Sequence, residues 1–150
     1  MSDHWITLVP VEPRYIPDES RQQFAQARFK EIAPEADEVE LKIFDRVTFF
    51  DCGENFERIQ CPSCSAEIPF DWWQDRMDED DDDGFRLDAY ATPCCGKRSS
   101  LNDLVYDWPQ AFGRFALEAM NPNLGELDES LKREFEQLLG TRLRIVYQHI

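Results

Sequence analysis

The chain has 150 residues, 42% of them hydrophobic and 13% aromatic, enough to bury a core in one domain and too apolar for a disordered tail. It carries 31 acidic residues against 16 basic ones, a formal charge of -15, which disfavours a reader of nucleic-acid phosphates and an anionic membrane surface as partner. No apolar run approaches the roughly 18 residues a membrane span needs. Met1-Ser2-Asp3-His4-Trp5 lacks the basic and apolar blocks of a secretory signal, so a soluble, cytoplasmic protein is expected.

In chain order, Trp5 to Val11 is rich in β-branched and aromatic residues and reads as a strand. Pro17-Asp18-Glu19-Ser20 opens a helix with Phe24, Ala25, Phe29 and Ile32 on one face, ended by Pro34. Arg28 falls inside that face, its stem expected to lie along apolar surface while the charge reaches water. From Val39 the period becomes two: Val39, Leu41, Ile43, Val47 and Phe49 share a row that only Asp45 breaks, a long or bulged strand half buried in an antiparallel sheet.

The far end of the chain repeats the plan. Phe115, Leu117 and Ala119 alternate with Arg114, Glu118 and Met120 up to Asn121-Pro122-Asn123. Asp128-Glu129-Ser130 opens a helix with the stripe Leu131, Phe135, Leu138 and Leu139, stopped by Gly140. Leu143, Ile145 and Tyr147 then alternate through a last strand. Asp-Glu-Ser opens both helices, which fits an internal duplication. Two strand-helix-strand halves on a mostly antiparallel sheet predict an α+β fold, a ferredoxin-like α/β sandwich. The halves are 1–50 and 109–150 of a single domain, with residues 51–108 inserted between them.

That insertion holds all five cysteines, an aromatic segment at Phe70-Asp71-Trp72-Trp73, an acidic run from Asp78 to Asp83 and a strand-like stretch from Phe85 to Tyr90. An odd cysteine count with close pairs points to metal or redox chemistry rather than a disulfide framework. Cys61-Pro62-Ser63-Cys64 is a knuckle that offers two thiolates to one ion, and Cys94-Cys95 lies 29 residues beyond Cys64, an interval that suits a small zinc ribbon. Here the sequence resembles zinc-ribbon knuckles, with one departure: Cys94 and Cys95 are adjacent, where a ribbon spaces its ligands by two residues. Structural Zn2+ on Cys61, Cys64, Cys94 and Cys95 is the expectation, with Cys52 as reserve ligand. A redox pair at Cys61 and Cys64 lacks the thioredoxin-like unit that would accompany it. A catalytic zinc would want histidines, and His4 and His149 lie at the chain ends. The metal would hold together an insertion with little core of its own.

Trp72 and Trp73 are adjacent and cannot both face one way on a short helix, so at least one is a candidate exposed anchor. Setting Gly84 at the sixth position of a calcium loop puts Tyr90 where a glutamate is required, which excludes an EF-hand. The acidic run is then a solvated loop, and Asp78, Asp80, Asp81, Asp82 and Asp83 are candidates to steer a basic protein. No phosphate-binding glycine loop, nucleophile elbow or His-Glu-x-x-His is present, so no catalytic residue is assigned.

The stretch from Ser99 to Pro109, with Cys61-Pro62-Ser63-Cys64 and Pro93-Cys94-Cys95-Gly96, resembles a set of small acidic bacterial proteins without assigned activity. That resemblance covers Asp51 to the C-terminus and implies no reaction. In outline such domains are also similar to immunity proteins, which neutralise toxins. The expectation is a non-catalytic, zinc-stabilised module that binds a basic protein, as an inhibitor or immunity protein does. Two alternatives stand beside it: an enzyme whose zinc is purely structural, and a ribbon that touches nucleic acid through Arg86, Lys97 and Arg98.

Overall fold

The structure is a computed structural model that describes residues 2–150. Its frame is a four-stranded sheet of β1 (His4–Pro10), β2 (Glu38–Phe50), β7 (Ala111–Met120) and β8 (Leu143–His149), in the spatial order β2-β7-β1-β8. All three strand pairings in it are antiparallel. Helices α1 (Glu19–Ile32) and α3 (Glu129–Leu139) connect β1 to β2 and β7 to β8. The expected α+β class and mostly antiparallel sheet are present.

Local chemistry starts and stops the helices. Asp18 accepts the N–H of Arg21 at 3.0 Å and Asp128 that of Leu131 at 2.8 Å, so each Asp-Glu-Ser is an N-cap that satisfies an orphan donor. Gly140 closes α3 at φ 74°, a left-handed conformation that costs a side-chain-bearing residue more.

Period-two rows place the core. Ile6 and Leu8 of β1 face Ala119 and Leu117 of β7, and this row meets Ala25, Phe29, Phe135 and Leu139 of the two helices. Phe29 and Phe135 pack with ring centroids 5.4 Å apart and have no exposed surface. Burial on this scale stabilises by roughly 2–3 kcal/mol per large side chain. Phe24 departs from the expected face and is 68% exposed. Gln22 is buried instead, because its amide donates to the Pro17 carbonyl at 2.7 Å.

The row along β2 is split. Its pairing with β7 shifts between Ile43 and Thr48, so Val39 and Leu41 pack with the helices while Val47 and Phe49 pack with the insertion. This is the bulge that Asp45 announced.

The insertion consists of β3 (Arg58–Gln60) paired with β6 (Val105–Asp107), helix α2 (Phe70–Asp80), and a hairpin of β4 (Tyr90–Ala91) and β5 (Arg98–Ser99). It has more core than the sequence implied. Ile59, Cys61, Ile68, Trp73, Met77, Leu101, Leu104 and Tyr106 form a buried cluster that also takes in Val47 and Phe112 of the frame. The insertion and the sheet therefore share apolar side chains rather than meeting at a linker.

Phe85 to Tyr90 is not a strand: Phe85 forms an isolated bridge with Asp81, and only Tyr90 belongs to a strand. Leu87 takes a positive φ of 57°, and the N–H groups of Leu87 and Asp88 are taken by the Asp80 carboxylate. No helix among the described residues is long and apolar enough to cross a membrane.

Candidate metal centre

Each knuckle is the tip of a short antiparallel turn. In the first, Gln60 pairs with Glu67, the N–H of Cys61 donates to the Ala66 carbonyl at 2.9 Å, and the N–H of Ser65 donates to the Cys61 carbonyl at 3.0 Å. Ser65 has a φ of 64°, so the chain doubles back directly after Cys64. In the second, Ala91 pairs with Arg98, the Thr92 N–H donates to the Lys97 carbonyl at 3.0 Å, and the Gly96 N–H donates to the Thr92 carbonyl at 3.0 Å. Gly96 has a φ of 76°, which glycine adopts without steric cost.

These turns bring four sulfurs together. The Sγ atoms of Cys61, Cys64, Cys94 and Cys95 all lie within 4.8 Å of one another. Cys64 and Cys94 are 3.3 Å apart, and Cys61 and Cys95 are 3.8 Å apart. Sulfurs on a tetrahedron around zinc, each about 2.3 Å from the ion, would be about 3.8 Å apart. The donor set therefore has the dimensions of a four-thiolate site, with all five cysteines free of disulfides. Adjacent Cys94 and Cys95 both reach it.

The site is asymmetric. Cys61 is 1% exposed and belongs to the cluster around Trp73, whereas Cys64, Cys94 and Cys95 face solvent. The Cys61 thiol is pulled down to about 6, first by the backbone N–H of Cys64 and then by that of Ser63 and the Thr92 hydroxyl, against burial. Cys95 is lowered too, chiefly by the Thr92 hydroxyl and the Lys97 N–H. Cys64 is pushed up to about 11: the Ala66 N–H works to lower it, but the hydrogen bond with Cys94, burial and the other two thiols outweigh that. The surroundings of Cys61 and Cys95 thus favour the thiolate, and those of Cys64 the thiol.

Cys52 is not in this group. It is fully buried in a separate cluster with Val9, Ala111, Ala116 and Val146, and its Sγ lies 3.5 Å from Gln110 Oε1. The reserve-ligand role is overturned, because Cys94 and Cys95 are both in reach of the site and Cys52 is not.

The candidate partner-binding residues divide. Trp73 is 6% exposed, and its Nε1–H donates to the Tyr106 hydroxyl at 3.0 Å, so it is a core residue rather than an exposed anchor. Trp72 is half-buried, with the Arg76 guanidinium 5.5 Å above its ring. The acidic run is an ordered helix end and turn, not a loose loop. Asp80 has no exposed surface and accepts from Leu87 N–H, Asp88 N–H and the Tyr90 hydroxyl, so it cannot steer a partner.

Asp83 pairs with Arg46 at 2.6 Å, Asp82 with Arg86 at 3.4 Å, and Asp81 accepts the Gly84 N–H at 3.2 Å. Asp78 is exposed on the same helix face as Asp71 and Asp75. Of the basic residues near the ribbon, Arg86 is taken up by Asp82 and Asp88 and Arg98 donates to the Ala89 carbonyl, while Lys97 is exposed.

Thr92 is the residue that sequence reasoning passed over. It is 3% exposed, and its Oγ1 lies 3.8 Å from Cys61 Sγ and 3.4 Å from Cys95 Sγ. The signal was there in the proline that follows both Cys61 and Thr92. No protein-family model, curated protein or solved structure matches the chain.

Proposed function

We propose that the protein is a zinc-stabilised acidic module that binds a basic protein. The observation that carries this is the group of four free thiols within 4.8 Å, drawn from two turns 31 residues apart in the chain. An all-sulfur, tetrahedral donor set suits zinc, which would lock the two hairpin tips together and fix the insertion against the frame. Two strand-helix-strand units with the strand order β2-β7-β1-β8 support reading that frame as a ferredoxin-like sandwich, one unit on each side of the insertion.

Charge supports the basic partner. Residues 70–83 hold eight acidic side chains and one basic one, close to half of the chain's net charge. Asp71, Asp75 and Asp78 form an exposed stripe along α2 and have no ion pair among the described residues. Such a stripe raises the encounter rate with a positive surface, and Trp72 at its margin offers apolar area for the docked state. The immunity-protein or inhibitor role is the form this binding takes in the reading. It is non-catalytic.

The test is capture of partners from nuclease-treated lysate of the native host, at low and moderate salt, with proteins identified by mass spectrometry. A stoichiometric basic protein whose recovery falls as salt rises is expected. Capture of nothing, or of a partner indifferent to both salt and neutralisation of Asp71, Asp75 and Asp78, contradicts the reading.

A further inference from the structure

The two knuckles obey one pattern, 31 positions apart. Gln60 and Ala91 open them and pair with Glu67 and Arg98, their counterparts across the turn. Cys61 and Thr92 come next, each buried, each with its N–H on the carbonyl five residues ahead and its own carbonyl on the N–H four residues ahead. Pro62 and Pro93 follow, then the exposed pair Ser63 and Cys94, then Cys64 and Cys95. Ser65 and Gly96 both take the left-handed conformation, at φ 64° and 76°.

Only the ligands are out of step. In the first knuckle they occupy the first and fourth positions, Cys61 and Cys64. In the second the fourth position is kept by Cys95, but the first holds threonine. Its hydroxyl sits where the buried thiol would be, 3.8 Å from Cys61 Sγ and 3.4 Å from Cys95 Sγ. The missing sulfur appears at the third position, Cys94, 3.3 Å from Cys64 Sγ.

We propose that Thr92 to Lys97 is a complete metal knuckle whose first ligand has moved two residues along the chain, so that Thr92 fills the buried ligand position and Cys94 supplies the fourth thiolate from the solvent side. This rests on the zinc reading above. It resolves the adjacent cysteines: Cys94 and Cys95 reach one ion because they stand at the third and fourth positions of a tight turn. The fourth ligand thereby joins Cys64 and Cys95 on the solvent side, and the buried place opposite Cys61 belongs to a hydroxyl that lies near two sulfurs without replacing them.

If the two turns are equivalent, the ligand can be moved back. The experiment uses the full chain loaded with Co2+, whose visible absorption reports how many thiolates surround a tetrahedral ion. The wild-type chain gives a four-thiolate spectrum at one ion per chain. Cys94→Ser loses it and binds zinc about a hundredfold or more weaker. Thr92→Cys together with Cys94→Ser, which writes the first knuckle's pattern into the second, restores the four-thiolate spectrum and returns affinity to within about tenfold of wild type.

A double variant no better than Cys94→Ser overturns the proposal, while the wild-type spectrum leaves the metal centre standing. A wild-type chain that takes up neither Co2+ nor Zn2+ overturns the centre itself. Should the double variant fold poorly, Thr92→Cys alone decides the matter by alkylation of the zinc-loaded protein with iodoacetamide. Cys94 then becomes the labelled thiol and the introduced one stays protected. Labelling of the introduced thiol with Cys94 protected overturns the proposal.

Discussion

Asp80 and Tyr90 meet at 2.8 Å, the carboxylate accepting the phenolic proton at a position where Asp80 has no exposed surface. The pair ties the last residue of α2 to the first residue of β4, two positions before Thr92 enters the second knuckle. The same carboxylate accepts the N–H groups of Leu87 at 2.8 Å and Asp88 at 3.0 Å. Tyr90 is pushed up to about 12, by burial first and then by Asp80, so it remains a donor throughout the neutral range. A residue of the acidic run is thus what fixes the approach of one hairpin to the four-cysteine cluster.

Removing that carboxylate strands three donors at once. Asp80→Ala is expected to cost about 3–5 kcal/mol of stability, and Tyr90→Phe, which removes one bond and leaves two, about 1–2 kcal/mol. Urea midpoints of the zinc-loaded proteins check this. Equal, small losses for both variants would mean that Asp80 is not the hub its contacts describe.

Metal removal should be felt in one part of the molecule. Cys61 and Trp73 share a buried cluster, whereas α1 and α3 pack on the far side of the sheet around Phe29 and Phe135. A strong chelator is expected to shift tryptophan emission to the red and to lower the melting temperature, with most helical circular dichroism retained before melting. Zinc added back reverses both changes. Emission that ignores the chelator would detach the metal from the insertion's core.

Cys52 should behave as a sealed thiol. Burial, with the charges of Asp51 and Asp107 adding to it, pushes its pKa up from 9.0 to about 11. The folded chain therefore holds this proton longer than the unfolded one. The corresponding stability is intact below pH 9 and is lost as pH rises through about 11. Cys52→Ala removes that portion of the alkaline loss. Iodoacetamide at pH 8 is expected to label Cys52 only after unfolding, and rapid labelling of the native chain would contradict its placement.

Arg28 makes a smaller contribution than its position suggests. Its Nε donates to Glu134 of α3 at 2.6 Å, and its Nη1 reaches Glu31 at 3.2 Å. The pair is about a third exposed, so a double-mutant cycle on Arg28 and Glu134 should return only a small coupling energy. Phe29→Ala, one residue away but inside the core, should cost about 3–5 kcal/mol. A coupling energy comparable to the Phe29 loss would contradict this ranking.

Features decided locally were legible in the sequence. Asp18 and Asp128 cap helices through their own next turn, Gly140 ends one through its own φ, and the alternating rows of β1, β7 and β8 need only period two. Features decided by distant partners were not. Composition made the acidic run look solvated, yet Asp80 is buried because Leu87, Asp88 and Tyr90 bring donors to it. Phe85 to Tyr90 had strand-like residues, but the Phe85 N–H reaches a strand at the Val47 carbonyl, while those of Leu87 and Asp88 are claimed by the Asp80 carboxylate. The four cysteines that come together could be named from spacing. The equivalence of Thr92 with Cys61 could not, because it lies in backbone hydrogen bonds rather than in the spacing of cysteines.

The central claim is that one zinc ion joins the two knuckles. Native mass spectrometry with elemental analysis, on protein purified without added metal or chelator, tests it most directly. The account predicts one zinc per chain and no reaction of Cys61, Cys64, Cys94 or Cys95 with alkylating agents until the metal is removed. A metal-free, folded chain whose knuckle thiols all react, or one that carries a Cys64–Cys94 disulfide in place of zinc, would contradict it.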